Sequence, residues 1–337
     1  MCSSDLTSGG GDEGVEGLYY YNGYVYVSLY DGGSDYLAKV SAENCTKVAS
    51  TSTDTSRGWS APLLDTENEW VWTIGEDNKV HCFYMENLTE RCSTSALNGT
   101  HNGGYAGPIL VNDSYTGGYR IIVTNHGAYT YSIYENCTIE WEHKPVFTSY
   151  ETSSHEAYKD GIYVYGEGHY SGDPWDSHCI GLNVSDGSTI WIYNTTSDHG
   201  CSPTISDDDL VFSGRWDGSQ AHYYILNLTN GNLIFENTMN GFSCFKPIYT
   251  AGGIYHGSVA SQGSKMRRIM VGNGTLVNWT MFGGDYDKHQ YVENGIKVYG
   301  PFSSYGGDTT PPTFSNWQQN PPDLNSCLLY TSPSPRD

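Results

Sequence analysis

The residues of this chain that could do chemistry are carboxylates set beside flat aromatic rings, with histidines close by. The densest group lies in the segment GEGHYSGDPWDS, which holds Glu167, His169, Asp173, Trp175 and Asp176. Arg215, Trp216 and Asp217 follow further along. A second series runs as Arg57, Gly58 and Trp59; His101 and Asn102; His155 and Glu156; Asp198 and His199; then Asp285, Asp287, Lys288 and His289. Rings beside acids suit carbohydrate, because sugar C–H faces stack on the ring while the acids accept hydroxyl hydrogen bonds. Trp216 is better explained by packing between blades at an Asp-Gly turn, whereas Trp175 stands in an insertion and suits either role. Glu156, Asp173 and Asp198 could be paired for glycoside hydrolysis, where the separation of the carboxylates decides the mechanism. A ring of histidines and carboxylates could take a divalent cation, calcium among them. No two of these ligands are locked at a fixed spacing in one element, so no metal site is assigned.

Other chemistries lack their motifs. There is no GxSxG, Walker loop or HExxH. No CxxC pair is present, which removes zinc sites of that kind. SDGSTIW at Ser185 matches a sialidase-type Asp-box only in part.

Composition narrows the class. The net charge of −22 arises from few Lys and Arg (16) rather than many acids (38) in 337 residues, which argues against nucleic acid and anionic membrane as partners. No apolar run approaches the length of a membrane span. The chain holds 29 tyrosines, 40 glycines and 9 tryptophans, a bias toward short strands joined by tight turns. Ten sites fit Asn-x-Ser/Thr: Asn44, Asn87, Asn98, Asn112, Asn136, Asn183, Asn194, Asn227, Asn273 and Asn278. Several fall at expected turns, so a secreted glycoprotein is the better reading. Setting aside Cys2 and Cys327, the cysteines are Cys45, Cys82, Cys92, Cys137, Cys179, Cys201 and Cys244, and they fit an oxidising compartment with at least one disulfide.

These residues must be positioned by a repeat. A proline, an apolar stretch, a turn and a Tyr/Val-rich strand recur at Pro62, Pro108, Pro203 and Pro247, a period of about 46 residues. Stepping by that period reaches GLYYYNGYVYVSLYDGG, SHEAYKDGIYVYGEG and VENGIKVYG, which gives seven starts. Within a unit the pattern is strand, turn, strand, loop, strand, turn, strand, shown best from Ser202 to Asn237. Four short strands per unit in series predict radial blades closed into a ring. Leu18, Leu63, Ile109, Ile205 and Ile248 are expected on or near the innermost strands.

The units resemble the PQQ-like repeat on specific residues. Tyr24 to Ser28 with Asp31-Gly32, Phe212 to Gly214 with Asp217-Gly218, and Ser185-Asp186-Gly187 with Trp191 match its strands and turns. Trp141 and Trp279 occupy the same late position as Trp191. The resemblance covers about Gly14 to Gly307 and implies an all-β, seven-bladed propeller of four-stranded antiparallel blades, the last incomplete in this fragment. Quinoprotein dehydrogenases of this superfamily bind quinone and calcium through an adjacent Cys-Cys pair, a stacking Trp and a catalytic Asp. This chain has no Cys-Cys pair, so no catalytic residue is carried across and neither PQQ nor another cofactor is expected. The chain more resembles non-catalytic members of the superfamily. The resulting expectation is a secreted or cell-surface module that binds glycan or a surface protein, with a propeller enzyme as the alternative.

The ends read differently. Residues 1–6 (MCSSDL) and 327–337 (CLLYTSPSPRD) resemble translated sequencing adapters and are expected to add nothing to the core. A signal peptide is then missing only because the fragment is truncated. Between them the expected organisation is a linker at 7–13, the propeller at 14–307, and at 308–326 a linker opening a truncated Ig-like domain. Cys82 and Cys92 lie symmetrically about Asn87 on an expected hairpin, which predicts that they face each other and form a disulfide. Cys201 and Cys244 form a second, weaker candidate pair.

Overall fold

The computed structural model describes residues 14–31, 34–52, 61–75, 77–99, 107–146, 156–168, 177–195, 203–206, 210–216, 220–240, 248–250, 253–258 and 265–270. Every element in them is a strand. Blade one is β1 (Gly14–Tyr21), β2 (Tyr24–Asp31), β3 (Ser34–Ser41) and β4 (Lys47–Ser52). Blade two is β5 (Leu63–Asp65), β6 (Trp70–Ile74), β7 (Val80–Tyr84) and β8 (Glu90–Ser93). Blade three is β9 (Ile109–Asp113), β10 (Gly118–Thr124), β11 (Thr130–Ile133) and β12 (Ile139–His143). Blade four is β13 (Ala157–Lys159), β14 (Ile162–Gly168), β15 (Ser177–Asn183) and β16 (Thr189–Thr195). Blade five is β17 (Thr204–Ile205), β18 (Leu210–Trp216), β19 (Gln220–Asn227) and β20 (Leu233–Asn240), and blade six shows β21 (Ile248–Thr250), β22 (Gly253–Ser258) and β23 (Lys265–Met270). Each sheet is an antiparallel meander in chain order. The expected seventh unit, the Cys201–Cys244 pair, residues 1–13 and residues 271–337 lie outside the described residues.

Position within a blade follows from apolar patterning. The first strands β5 and β13 are buried along their length, as are β11 and all of β7 but Tyr84, because both faces of the sheet are covered. The outer strands β4 and β16 keep many side chains in solvent. The five positions expected on innermost strands fall on β1, β5, β9, β17 and β21, each first in its sheet. β5 lies against β9, β13 against β17 and β17 against β21, so the first strands are neighbours from blade to blade. Tight β1–β2 and β13–β14 turns are made by Asn22-Gly23 and Asp160-Gly161, all with positive φ, as a type I′ hairpin demands.

The blades are joined by one recurring contact. After the third strand the chain turns through a residue in the left-handed region: Cys45, Leu88, Cys137, Gly187 or Gly231. The residue four places later, on the fourth strand, is Ala49, Cys92, Trp141, Trp191 or Phe235, opposed by Lys39, Cys82, Ser132, Gly181 or Ile225 of the third strand. In every case the pairing shifts immediately after that residue, so a β-bulge fixes the outward turn of the plug. In blades two, three and four the plug then meets the left-handed residue of the next blade. Trp141 covers Gly187 and Trp191 covers Gly231 so closely that a Cβ would come within 2.6 Å and 2.7 Å of the rings. Their indole N–H groups donate to Val184 O (3.1 Å) and Leu228 O (2.6 Å) of the same turns.

Between blades two and three the same slot holds a disulfide, Cys92–Cys137, with Cα atoms 6.0 Å apart. This corrects the expected Cys82–Cys92 bridge. The two residues do face each other across β7 and β8. Cys92, however, reaches outward to the neighbouring turn, while Cys82 stays beneath it as a buried free thiol. Burial pushes the Cys82 thiol up to about 12, so it is not a nucleophile near neutral pH. Cys45, in the same slot of blade one, is also disulfide-bonded. At the junction of blades one and two, Lys39 lies over the Tyr24 ring and donates to Met85 O (2.9 Å) and Glu86 O (3.1 Å).

Two measurements follow from this slot. Gly187→Ala should destabilise the chain by about 2–4 kcal/mol, because left-handed strain and overlap with Trp141 add. Gly117→Ala, with φ +69° and open space around it, should lose only the strain, about 1–2 kcal/mol. Equal losses in denaturant melts would contradict the packing role of Trp141. Reducing Cys92–Cys137, which closes a separation of 45 residues, should lower stability by about 4 kcal/mol at most. A non-reducing peptide map should link Cys92 to Cys137 and find Cys82 alkylated only after unfolding.

Candidate binding face

Strands alternate in direction, so the second-to-third connections and the links between blades emerge at one end of the blades. In blades two and three the described connections there are tight and closed by amides. Asn78 Nδ2 donates to Leu97 O at 2.7 Å, and Asn125 Nδ2 donates to Asn98 O at 2.7 Å and to Asn78 Oδ1 at 3.2 Å. Asn125 Oδ1 in turn accepts from the Tyr129 backbone N–H at 3.0 Å. Both asparagines are buried, and Asn78 and Ala128 take positive φ to make the turns. This amide ladder locks adjacent blades at their loop end.

Blade four brings two of the expected carboxylates to this end. Glu156 precedes β13 and Glu167 closes β14, and they are 2 % and 0 % exposed. Glu156 Oε1 accepts the Thr124 backbone N–H of blade three at 3.3 Å. Glu167 Oε2 accepts the Val146 N–H, on the segment leaving blade three, at 3.3 Å, and lies 3.5 Å from the Tyr165 hydroxyl. His178 Nδ1 stands 3.9 Å from Glu167 Oε1. The Tyr163 hydroxyl pairs with Thr124 Oγ1 at 2.8 Å, and Thr124 Oγ1 with Thr130 Oγ1 at 2.9 Å. Burial, then the charge of Glu156, drives Tyr163 well above its ordinary pKa, so it remains a protonated donor. Both carboxylates thus reach back to blade three and tie down the start and end of the inter-blade segment. They act as joints between blades.

Blade two carries a polar group that the sequence reading passed over. Asp77, in the second-to-third turn, pairs with Lys79 Nζ (2.9 Å) and His81 Nε2 (3.0 Å), and His81 Nδ1 lies 2.9 Å from Glu90 Oε1. Asp77 and Lys79 lie in the turn before β7 and only His81 is on the strand, so the left-handed Asn78 turn, not strand alternation, brings the three together. Burial works to raise Asp77, but hydrogen bonds from Lys79 and His81 outweigh it and hold the carboxyl below its usual range. Glu90 is also held low, first by its bond to His81 against opposing burial.

Of the remaining expected site residues, Trp59, His169, Asp173, Trp175, Asp176 and Asp217 lie outside the described residues, and the backbone places Arg215 and Trp216 at the end of β18. Among the described residues no group of three or more His, Cys, Asp or Glu could hold a metal. No described helix is long and apolar enough to cross a membrane.

No protein-family model and no curated protein matches the chain. Solved structures do. BamB from Moraxella catarrhalis superposes with a TM-score of 0.56 at 14% identity, over 79% of this chain and 77% of that one. The quinohemoprotein alcohol dehydrogenase ADHIIG from Pseudomonas putida HK5 gives 0.57 at 11% identity, over 73% of this chain and 55% of that one. A europium-containing methanol dehydrogenase gives 0.54 at 11%, over 78% and 66%. The chain therefore spans little more than half the length of the alcohol dehydrogenase. The likeness shows the fold, a β-propeller of antiparallel blades.

The Asp77–His81–Glu90 group makes a pH dependence. Carboxylates held low by folding contribute stability that is present above their ordinary range and is lost as pH falls through their folded values. Stability should therefore drop on acidification below about pH 4, and Asp77→Asn should show a shallower drop. Denaturant midpoints taken from neutral pH to about pH 3 would check this. A parallel drop in the variant would remove Asp77 from the acid response.

Proposed function

We propose that this chain is a secreted or cell-surface propeller that binds a glycan or protein partner through its loop end and catalyses no reaction. The observation that carries the reading is the state of Glu156 and Glu167. Both are buried and bonded to main-chain N–H groups of blade three, so neither is presented to a substrate as acid or base. A hydrolase needs two carboxylates facing one bond. Recognition needs a rigid base with variable loops upon it, which supports the binding reading. The Cys92–Cys137 disulfide suits an oxidising compartment.

The contact residues in this reading are Trp175, with His169, Asp173 and Asp176 in its loop, and Trp59, Arg215, Trp216 and Asp217 on neighbouring blades. Glu156 and Glu167 support the loops from beneath. No cofactor has a role in this reading; quinone has no Cys-Cys pair to receive it, and calcium is the cation that the loop acids suit.

A glycan array probed with the folded chain tests the proposal. Binding should appear without release of new reducing ends, and Trp175→Ala should weaken it about tenfold, the loss of roughly 1.4 kcal/mol of stacking. Turnover of a bound glycan would favour the enzyme reading. If no glycan binds, cross-linking to cell-surface proteins should trap a partner through the same loops. Failure of both overturns the proposal.

A further inference from the structure

We propose that the chain carries one N-linked glycan on each of blades one to five, at the turn between the third and fourth strands, giving a sugared rim opposite the loop end. This rests on the secreted location proposed above. Six of the ten sequons lie wholly within the described residues, and five are in this turn: Asn44, Asn87, Asn136, Asn183 and Asn227. The sixth, Asn112, is half-buried in β9.

Closure at the left-handed residue does not by itself require a sequon. In blades one to three the sequon asparagine immediately precedes the left-handed residue, and the Thr two places on donates its N–H to the asparagine Oδ1 at 3.0–3.1 Å. In blade four that place is taken by Asp186, whose Oδ1 accepts the Ser188 N–H at 2.9 Å and its hydroxyl at 2.6 Å. In blade five it is Asn230 followed by Gly231 and Asn232, which is no sequon but closes the turn by the same bond at 3.0 Å. Both turns are complete without a sequon, yet each has one three residues earlier, at Asn183 and Asn227. One sequon per blade is thus kept at this turn in two different registers.

The chemistry of the side chain points the same way. An ionised Asp is the stronger acceptor in this turn, and the Ser188 bonds hold Asp186 below its ordinary range. Asn in its place in blades one to three gives a weaker bond and supplies an amide nitrogen instead. In all five sequons Oδ1 takes the N–H of the second residue on, at 2.9–3.1 Å. Asn44, Asn87 and Asn136 are exposed, and Asn183 and Asn227 are half-exposed. Asn98 contrasts with them, because its Nδ2 donates to Glu142 Oε2 at 2.5 Å. The transfer needs a lipid-diphosphate-linked oligosaccharide as donor. The anomeric carbon forms a bond to Nδ2, its bond to the diphosphate oxygen breaks with the electron pair leaving on the lipid diphosphate, and Nδ2 gives up a proton.

The test is secretion of the full chain from a eukaryotic host, followed by peptide N-glycosidase in heavy-oxygen water and peptide mass spectrometry. Conversion of Asn to labelled Asp is expected at all five turn sites and not at Asn98 or Asn112. A second measurement guards against misfolding. Asn44→Asp keeps the turn bond, as Asp186 does natively, and should lower the intact mass by one glycan without changing the melting temperature. A secreted chain with bare turns, or with Asn98 and Asn112 occupied to the same extent, overturns the proposal. Glycan-array binding is read separately, so a sugared chain that binds nothing would leave this inference standing while the binding reading fell.

Discussion

The contact on which the molecule depends is a side chain from the outer strand of one blade seated on a left-handed turn of the next. A four-stranded blade has two apolar faces and cannot bury either alone. The first strands bring blades together near their inner edge, but the outer strands need their own attachment or the sheets would splay. The plug supplies it. The β-bulge beside it sets its direction, and the turn beyond exposes carbonyls that the plug or its neighbour can bond: Trp141 to Val184, Trp191 to Leu228 and Lys39 to Met85.

This contact accommodates different residues because three layers share one volume. A small third-strand residue and a glycine turn admit an indole, as in Ser132–Trp141–Gly187 and Gly181–Trp191–Gly231. A long Lys39 below and Leu88 above leave room only for Ala49, and Leu88 then joins the core shared by blades one and two. Three cysteines fill the slot between blades two and three, with Cys82 below the Cys92–Cys137 bond. Close packing makes each layer contingent on the other two. A single substitution in any one of them therefore leaves either a void or an overlap.

Much of the fold was legible because its signals are local. Period-two alternation, Asn-Gly and Asp-Gly turns, and a late Trp in blades three and four are read within a few residues, and the strands fall where they indicate. The opposition of Cys82 and Cys92 was legible for the same reason, since a hairpin fixes register. The disulfide was not. Its partners are 45 residues apart, about one repeat, and only alignment of blade two on blades three and four shows that Cys92 and Cys137 fill the Trp and Gly positions. The carboxylates failed in a related way. Glu156 and Glu167 sit at loop positions, and nothing in the local sequence indicates that the neighbouring blade supplies N–H groups to bury them.

That burial separates support from recognition at the loop end. A carboxylate within the scaffold, bonded to N–H groups, cannot turn toward a ligand without leaving a buried N–H unsatisfied. Glu156 and Glu167 are held in that position, as are Asn78 and Asn125 in the neighbouring blades. The underlying surface is therefore fixed from blade two to blade four by joints that are independent of the binding role proposed above. The joints draw on main-chain groups that every residue but proline provides, so they tolerate sequence change at the residues that donate or accept through the backbone. Stability in this part of the propeller thus resides in contacts between blades, so the buried carboxylates and amides at this end serve the scaffold first.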